Sequence, residues 1–175
     1  MNVALDCDGV LSNFSQALIE KANEMGLGEF FPKSWMDIDS WDFSPKFSEV
    51  WKVIEKDEGF WLGIEPFKDT HGKVDFTPIA YVTARPVPSS TTRFWLRANG
   101  FPDAPVHTVH PNASKLDILR DIGVDLFVDD KPETVEELND NGLLCLMFSR
   151  PHNVKHKTKY PVIKSLAEIK KYLNE

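Results

Sequence analysis

Cysteine is nearly absent from this sequence: Cys7 and Cys145 are the only two in 175 residues, and each sits inside an apolar run. Two thiols so placed read as buried and reduced, not as a disulfide framework, which implies a reducing compartment. Long hydrophobic runs are missing too. None approaches the ~20 residues that span a bilayer, so a membrane is not an expected partner. The chain reaches Asp6 with no basic stretch ahead of an apolar one, so no secretory leader is expected and the cytoplasm is the expected location. Cations are in the minority, 20 Lys and Arg against 27 Asp and Glu for a net charge of −7. Nucleic-acid binders draw their affinity from Lys and Arg on phosphates, which makes a long polyanion a poor partner. A small phosphorylated ligand held by a metal remains compatible. No internal repeat or low-complexity tract is present. What is left is a globular composition, 42% hydrophobic and 27% charged, at the length of one domain with room for a modest insertion.

Short apolar runs at 3–5, 79–82, 106–109, 126–128 and 143–148 read as strands. Most lack a clean alternation, as expected of strands covered on both faces. Helical patterns separate the later ones, at 91–98, 113–122 and 132–138. The first stops at Asn99-Gly100, the second starts near Asn112 or Ser114 and stops at Gly123, and the third opens on Pro132. Ser165 reads as the N-cap of a last helix through Leu166, Ile169 and Leu173, with Glu168 completing a capping box. Strands alternating with helices of this length predict a parallel sheet. Between Leu11 and about Phe76 the alternation fails. That segment offers helical patterns at 14–25 and 48–54 and a high density of aromatics: Phe14, Phe30, Phe31, Trp35, Trp41, Phe43, Phe47, Trp51, Phe60, Trp61 and Phe67. It reads as a small, mostly helical insertion folded over the tip of the first strand. The basic stretch 150–159 reads as a solvated loop.

Four groups of polar residues fall where apolar runs end. Asp6-Cys7-Asp8-Gly9 sets two carboxylates at the tip of the first strand, where ligands bind in open α/β sheets. Hard oxygen ligands gathered there suit Mg²⁺, and an Asp carboxylate can also attack phosphorus. A calcium loop would begin the same way, but Val10-Leu11 stand where it needs oxygen donors. Tyr81-Val82-Thr83-Ala84-Arg85-Pro86 ends a strand in a hydroxyl and a following backbone N–H. Both suit a phosphate oxygen, although Thr83 at an ordinary strand exit would only cap a turn. Lys115, in the first turn of the helix after the third strand, can balance negative charge; a lone Lys there is more often solvated. Asp129-Asp130 after the fourth strand would repel each other without a cation nearby. The ordinary reading of Asp130 is a cap for the helix at Pro132.

In this order, and each at a strand end, the four groups resemble the haloacid-dehalogenase-like phosphohydrolase superfamily over nearly the whole chain. Within it the chain looks most like the 5'(3')-deoxyribonucleotidases, on Asp6 through Phe14, on Gly59-Phe60-Trp61-Leu62-Gly63-Ile64-Glu65-Pro66, and on Phe127 through Glu133. The resemblance implies an α/β fold: a three-layer α/β/α Rossmann-like core at 1–12 and 77–175, with a helical cap at 13–76. It implies a Mg²⁺-dependent phosphomonoesterase acting on nucleoside monophosphates, 5'(3')-deoxyribonucleotides above all, through a phosphoaspartate. Asp6 would be the nucleophile and Asp8 the acid that protonates the leaving oxygen and later activates water. Mg²⁺ would be held by the Asp6 carboxylate, the Asp8 backbone carbonyl and Asp130, with Asp129 behind them; which of Asp129 and Asp130 ligates directly is left open. Thr83, the Ala84 backbone and Lys115 would hold the phosphoryl oxygens. Phe14, Phe60 and Trp61 match positions around a nucleobase, and aromatics in a small cap also serve as its core.

Two departures from the family stand out. Residues 66–78 are too short for the usual crossover helix and contain Gly72. Arg85 stands where the deoxyribonucleotidases tend to carry Ser-Pro, and at the pocket rim it would contact a second phosphate or a base edge. Thr83-Ala84-Arg85-Pro86 also resembles the 3'-phosphatase half of polynucleotide end-healing enzymes. The alternatives are therefore a polynucleotide 3'-phosphatase, a small-metabolite phosphatase, and a non-catalytic phosphate-binding module. His107 and His110 lack further ligands at zinc spacing and read as a strand-end feature. A homodimer is left open.

Overall fold

The computed structural model describes residues 1–40, 42 and 44–173. Trp41 and Phe43 lie outside the described residues. Among the described residues, six strands form one sheet in the order β3-β2-β1-β4-β5-β6, and every neighbouring pair is parallel. They are β1 Val3–Leu5, β2 Ala80–Thr83, β3 Val106–Thr108, β4 Leu126–Asp129, β5 Leu144–Phe148 and β6 Val162–Ile163. The helices are α1 Phe14–Glu24, α2 Phe47–Ile54, α3 Glu58–Leu62, α4 Ser89–Ala98, α5 Leu116–Asp121, α6 Pro132–Asp140 and α7 Lys170–Leu173.

β1, β2 and β4 are buried at every residue, which is why their sequences run apolar without alternating. One face of the sheet packs Leu5, Tyr81, Val128 and Phe148 against Trp95 and Leu96 of α4 and against Leu166 and Ile169. The other packs Ala4, Val82, Phe127 and Cys145 against Leu119 of α5 and Val135 and Leu138 of α6. The result is three layers, helices on both faces of a parallel sheet. Cys7 and Cys145 are buried free thiols.

A third apolar cluster belongs to the segment after β1. Leu18, Ile19 and Ala22 of α1 meet Val50 and Ile54 of α2, Trp61 of α3, and Phe31, Ile38 and Ile64, with Val87 from beyond β2. The two chain connections into and out of this segment run side by side. Ser12 bridges Pro66 in antiparallel sense, Asn13 donates its N–H to the Glu65 carbonyl at 2.9 Å, and Phe67 to the Leu11 carbonyl at 2.8 Å.

Several expectations need correction. The segment holds a further helix, α3, five residues long and carrying Phe60 and Trp61; Asp57 caps it, accepting from Phe60 N at 3.1 Å. α5 begins at Leu116, leaving Lys115 at the N-cap and not inside the first turn. The last helix is a 3-10 turn over Leu166–Ile169 followed by α7, behind the expected Ser165–Glu168 capping box. β6 was not foreseen. No helix joins α3 to β2, in keeping with the short, glycine-containing connection.

Candidate active site

The chain leaves β1 toward β2 and β3 on one side and β4, β5 and β6 on the other. β1 is therefore the switch point of the sheet, and the crevice beyond its carboxyl end is where open α/β folds hold ligands. Asp6 follows β1 directly, Thr83 ends β2, and Asp129 ends β4 with Asp130 next. Ligand oxygens of Asp6, Asp129 and Asp130 all lie within 4.8 Å of one another, and all three residues are buried. Lys115 Nζ reaches into this cluster, 3.0 Å from Asp6 Oδ2 and 2.7 Å from Asp129 Oδ2. The Asp129 Oδ1 accepts from Lys131 N at 2.8 Å.

One ammonium among three buried carboxylates leaves an excess of negative charge in a low-dielectric pocket. Burial pushes the Asp6 carboxyl well above the usual range; Lys115 opposes this, while Asp129, Asp130 and Asp8 add to it. Burial raises Asp130 as well, against the pull of His152. The same neighbours act on Lys115 in the opposite direction: Asp129 and Asp6 outweigh its burial and hold its ammonium firmly protonated. The donor set is all oxygen, and its uncompensated charge fits a hard divalent cation such as Mg²⁺.

The glycine after Asp8 is part of this geometry. Gly9 has φ +83°, and a Cβ there would fall inside the Asp130 carboxylate. Asp130 is fixed from the other side by His152, Nε2 to Oδ2 at 2.7 Å, and by Asn153, whose Nδ2 donates to the Asp130 carbonyl at 2.7 Å. Arg150 donates to the Gly9 carbonyl at 2.6 Å and the Val10 carbonyl at 3.0 Å. Its guanidinium lies 3.5 Å from the Phe67 ring centre and 4.4 Å from that of Phe148. The start of the basic stretch, read as solvated, is thus buried at Arg150, His152 and Asn153. Stacking on aromatic faces and an ion pair with Asp69 replace the water it would otherwise hold.

Thr83 Oγ1 is buried without a hydrogen-bond partner. Such an unmet hydroxyl costs ~1–3 kcal/mol, and a phosphoryl oxygen is an acceptor it can meet. The Asp8 carboxylate is not part of the three-acid cluster. Ser12 Oγ donates to it at 2.5 Å, and Arg85 grips it through Nε at 3.1 Å and Nη2 at 2.8 Å. Arg85 is 1% exposed and its donors go to Asp8 and Ser12. It does not stand free at the rim, as expected from sequence; a desolvated guanidinium needs carboxylate partners, and Asp8 supplies one.

These groups open into one cleft of ≈ 1180 Å³, walled by Asp6, Asp8, Thr83, Ala84 and Lys115 below and by Phe14, Phe47, Trp51 and Trp61 above. That exceeds the ~300–1,000 Å³ of common small-molecule sites. Phe14 stacks on Trp61 at 5.5 Å, and Phe47 on Trp51 at 5.9 Å. Phe60 is not in this wall: it lies with Ala17, Lys21 and Gly63 at a shallow depression elsewhere. One residue from Trp61 on a short helix, it must project to another side. Sequence reasoning named Phe47 and Trp51 only among the aromatics. Val50 and Ile54 of α2 are buried, so the i, i+4 pair Phe47 and Trp51 was the signal for a second aromatic face.

No protein-family model matches the chain. A protein of Oceanobacillus iheyensis named "Putative nucleotidase" is 31% identical over 83 residues, 46% of this chain and 44% of that relative, so the match spans under half of the relative's length. Among solved structures, an L-2-haloacid dehalogenase superposes with a TM-score of 0.58 at 14% identity, over 98% of each chain. A hydrolase of subfamily IA of the haloacid-dehalogenase superfamily, from Geobacter sulfurreducens, gives 0.58 at 16% identity over 98% of each chain. In fold, the chain is similar over nearly its whole length to these dehalogenase and hydrolase structures of the haloacid-dehalogenase superfamily.

Proposed function

We propose that this protein is a Mg²⁺-dependent phosphomonoesterase acting on nucleoside monophosphates, deoxyribonucleotides among them, with residues 13–76 serving as a cap over the site. The observation that carries the phosphatase reading is the meeting of Asp6, Asp129 and Asp130 within 4.8 Å at a lysine, beside the unpartnered Thr83 hydroxyl. The nucleotide reading rests on the partial likeness to a protein named as a nucleotidase and on the stacked aromatics of the cleft wall. Stacking tolerates different bases and is worth roughly 1–3 kcal/mol per base.

Asp6 and Asp130, with the Asp8 carbonyl, would hold the magnesium, and Asp129 would brace Lys115 behind them. The ion supplies neutralising charge for the phosphoryl group. Lys115 and the Thr83 hydroxyl bind the remaining phosphoryl oxygens and orient phosphorus toward Asp6. An Asp6 oxygen forms the new P–O bond as the bond to the leaving oxygen breaks, and Asp8 gives that oxygen its proton. Asp8 then takes a proton from water, which attacks phosphorus; phosphate departs and the Asp6 carboxylate is restored. The burial of Asp6, Lys115 and Asp129 excludes bulk water from these charges.

Incubation with a panel of phosphorylated metabolites, with and without Mg²⁺, tests this. Nucleoside monophosphates should be hydrolysed best, and Asp6→Asn should lose turnover by about a thousandfold or more while remaining folded. A fully active Asp6→Asn variant refutes the mechanism. Good hydrolysis of sugar phosphates alone refutes the substrate class and leaves the mechanism standing.

A further inference from the structure

Arg85 is more deeply buried than Arg150, at 1% against 4% exposure, and the proton-transfer chemistry above leaves it unused. Its surroundings are highly specified. It makes bonds from Nε and Nη2 to the Asp8 carboxylate and one from Nη2 to Ser12 Oγ at 3.0 Å. Ser12 in turn donates to Asp8, closing a three-membered ring of side chains. The guanidinium carbon sits 4.8 Å from the centre of the Trp95 ring and 5.6 Å from that of Trp61. Each indole is itself tied to backbone of the cap segment: Trp61 Nε1 donates to the Ile54 carbonyl at 2.8 Å, Trp95 Nε1 to the Ile64 carbonyl at 2.7 Å. The arginine therefore has little freedom to turn, and neither has the carboxylate it holds.

We propose that Arg85 and Ser12 are positioning residues that hold the Asp8 carboxylate in the one orientation in which it takes a proton from water, with the two tryptophans setting the clamp. The proposal rests on the phosphatase reading for its kinetic consequence but not for its geometry. Two nitrogens of a planar fork hold a carboxylate in one plane, which a lysine ammonium cannot do. A misplaced base loses rate without losing affinity, since the phosphoryl contacts through Thr83 and Lys115 are untouched.

The test uses Arg85→Lys and Ser12→Ala, alone and combined with Asp8→Asn, assayed on dUMP with Mg²⁺. Arg85→Lys keeps the charge but gives up the fork, so the kinetics are read well below the thermal midpoint measured for each variant. Each single change should lower kcat by roughly tenfold, less than the 10²–10⁴ that the whole of general acid–base catalysis supplies, and leave KM within about twofold. In the Asp8→Asn background the same changes should lower kcat by less than about twofold, because there is no carboxylate left to position. A loss that persists undiminished on Asp8→Asn, or an unchanged kcat in both single variants, overturns the proposal. A crystal structure of Arg85→Lys separates this from the functional reading. The Asp8 carboxylate should leave its present plane whether or not any phosphoester is hydrolysed, and a carboxylate that stays in place overturns the clamp. Failure of the parent protein to hydrolyse any phosphomonoester would instead count against the proposed function.

Discussion

Replacing Gly9 by alanine should destabilise the protein by about 2–5 kcal/mol, because one methyl group meets two penalties. At φ +83° a residue with a Cβ carries the left-handed cost of ~1–2 kcal/mol. The methyl also needs the space of the Asp130 carboxylate, which is hemmed in by His152 and Asn153, and overpacking of this kind costs typically ~1–3 kcal/mol. For a chain of this size the sum corresponds to a fall in Tm of roughly 5–15 °C. Gly26→Ala is the control. Its φ is +74° with nothing within 4 Å of the added carbon, so it should bear the backbone cost alone, ~1–2 kcal/mol. Thermal unfolding of both variants gives the difference, and calorimetric titration with Mg²⁺ reads the acid cluster directly. Gly9→Ala should bind the ion at least tenfold more weakly (about 1.4 kcal/mol), and Gly26→Ala should bind it as the parent does. Equal losses of Tm, with Mg²⁺ affinity unchanged in both, would refute the reasoning.

Other outcomes follow from the same geometry. Thr83→Val removes a hydroxyl that has no partner in the fold, so Tm should hold or rise while kcat/KM on dUMP falls by about a hundredfold; urea unfolding and steady-state kinetics check both halves. Without metal, stability should decline as pH rises above the ordinary carboxyl value of 3.8. The folded Asp6 and Asp130 keep their protons to higher pH than the unfolded chain does, so the folded state binds more protons in that window. Melting curves at about pH 5 and pH 8, in EDTA and in Mg²⁺, should show the slope in EDTA and its suppression by the ion; a flat profile in EDTA contradicts it. Trp51→Ala should raise KM for nucleotides by roughly 5- to 150-fold, the value of one stacked base. Phe60→Ala should leave KM near the parent value, since that ring faces away from the cleft.

Much of the core was legible because its signals are local. Parallel strands buried on both faces must be apolar throughout, and the polar residue that ends each one marks the tip where a ligand can sit. Asp6, Thr83 and Asp129 could be placed that way with no knowledge of tertiary contacts. The parts that escaped depend on distant partners. Arg85 finds Asp8 across 77 residues and Arg150 finds Gly9 across 141. Nothing in the basic stretch around Arg150 announces that Phe67 and Phe148 will enclose it. α3 was hidden by its length and by Gly59, a poor helix former. β6, two residues long after a proline, is a strand only because β5 offers it an edge.

The bond from Arg150 to the Gly9 and Val10 carbonyls also fixes when the site can first exist during synthesis. A nascent polypeptide that has emerged from the ribosome only through α6 already carries Asp6, Thr83, Lys115, Asp129 and Asp130. It still lacks the guanidinium that braces the loop behind Asp6 and the imidazole and amide that steady Asp130. The braced arrangement of the acids therefore waits on a segment more than 140 positions downstream. A prematurely arrested chain would hold its acids near one another with no brace to keep them apart or aimed.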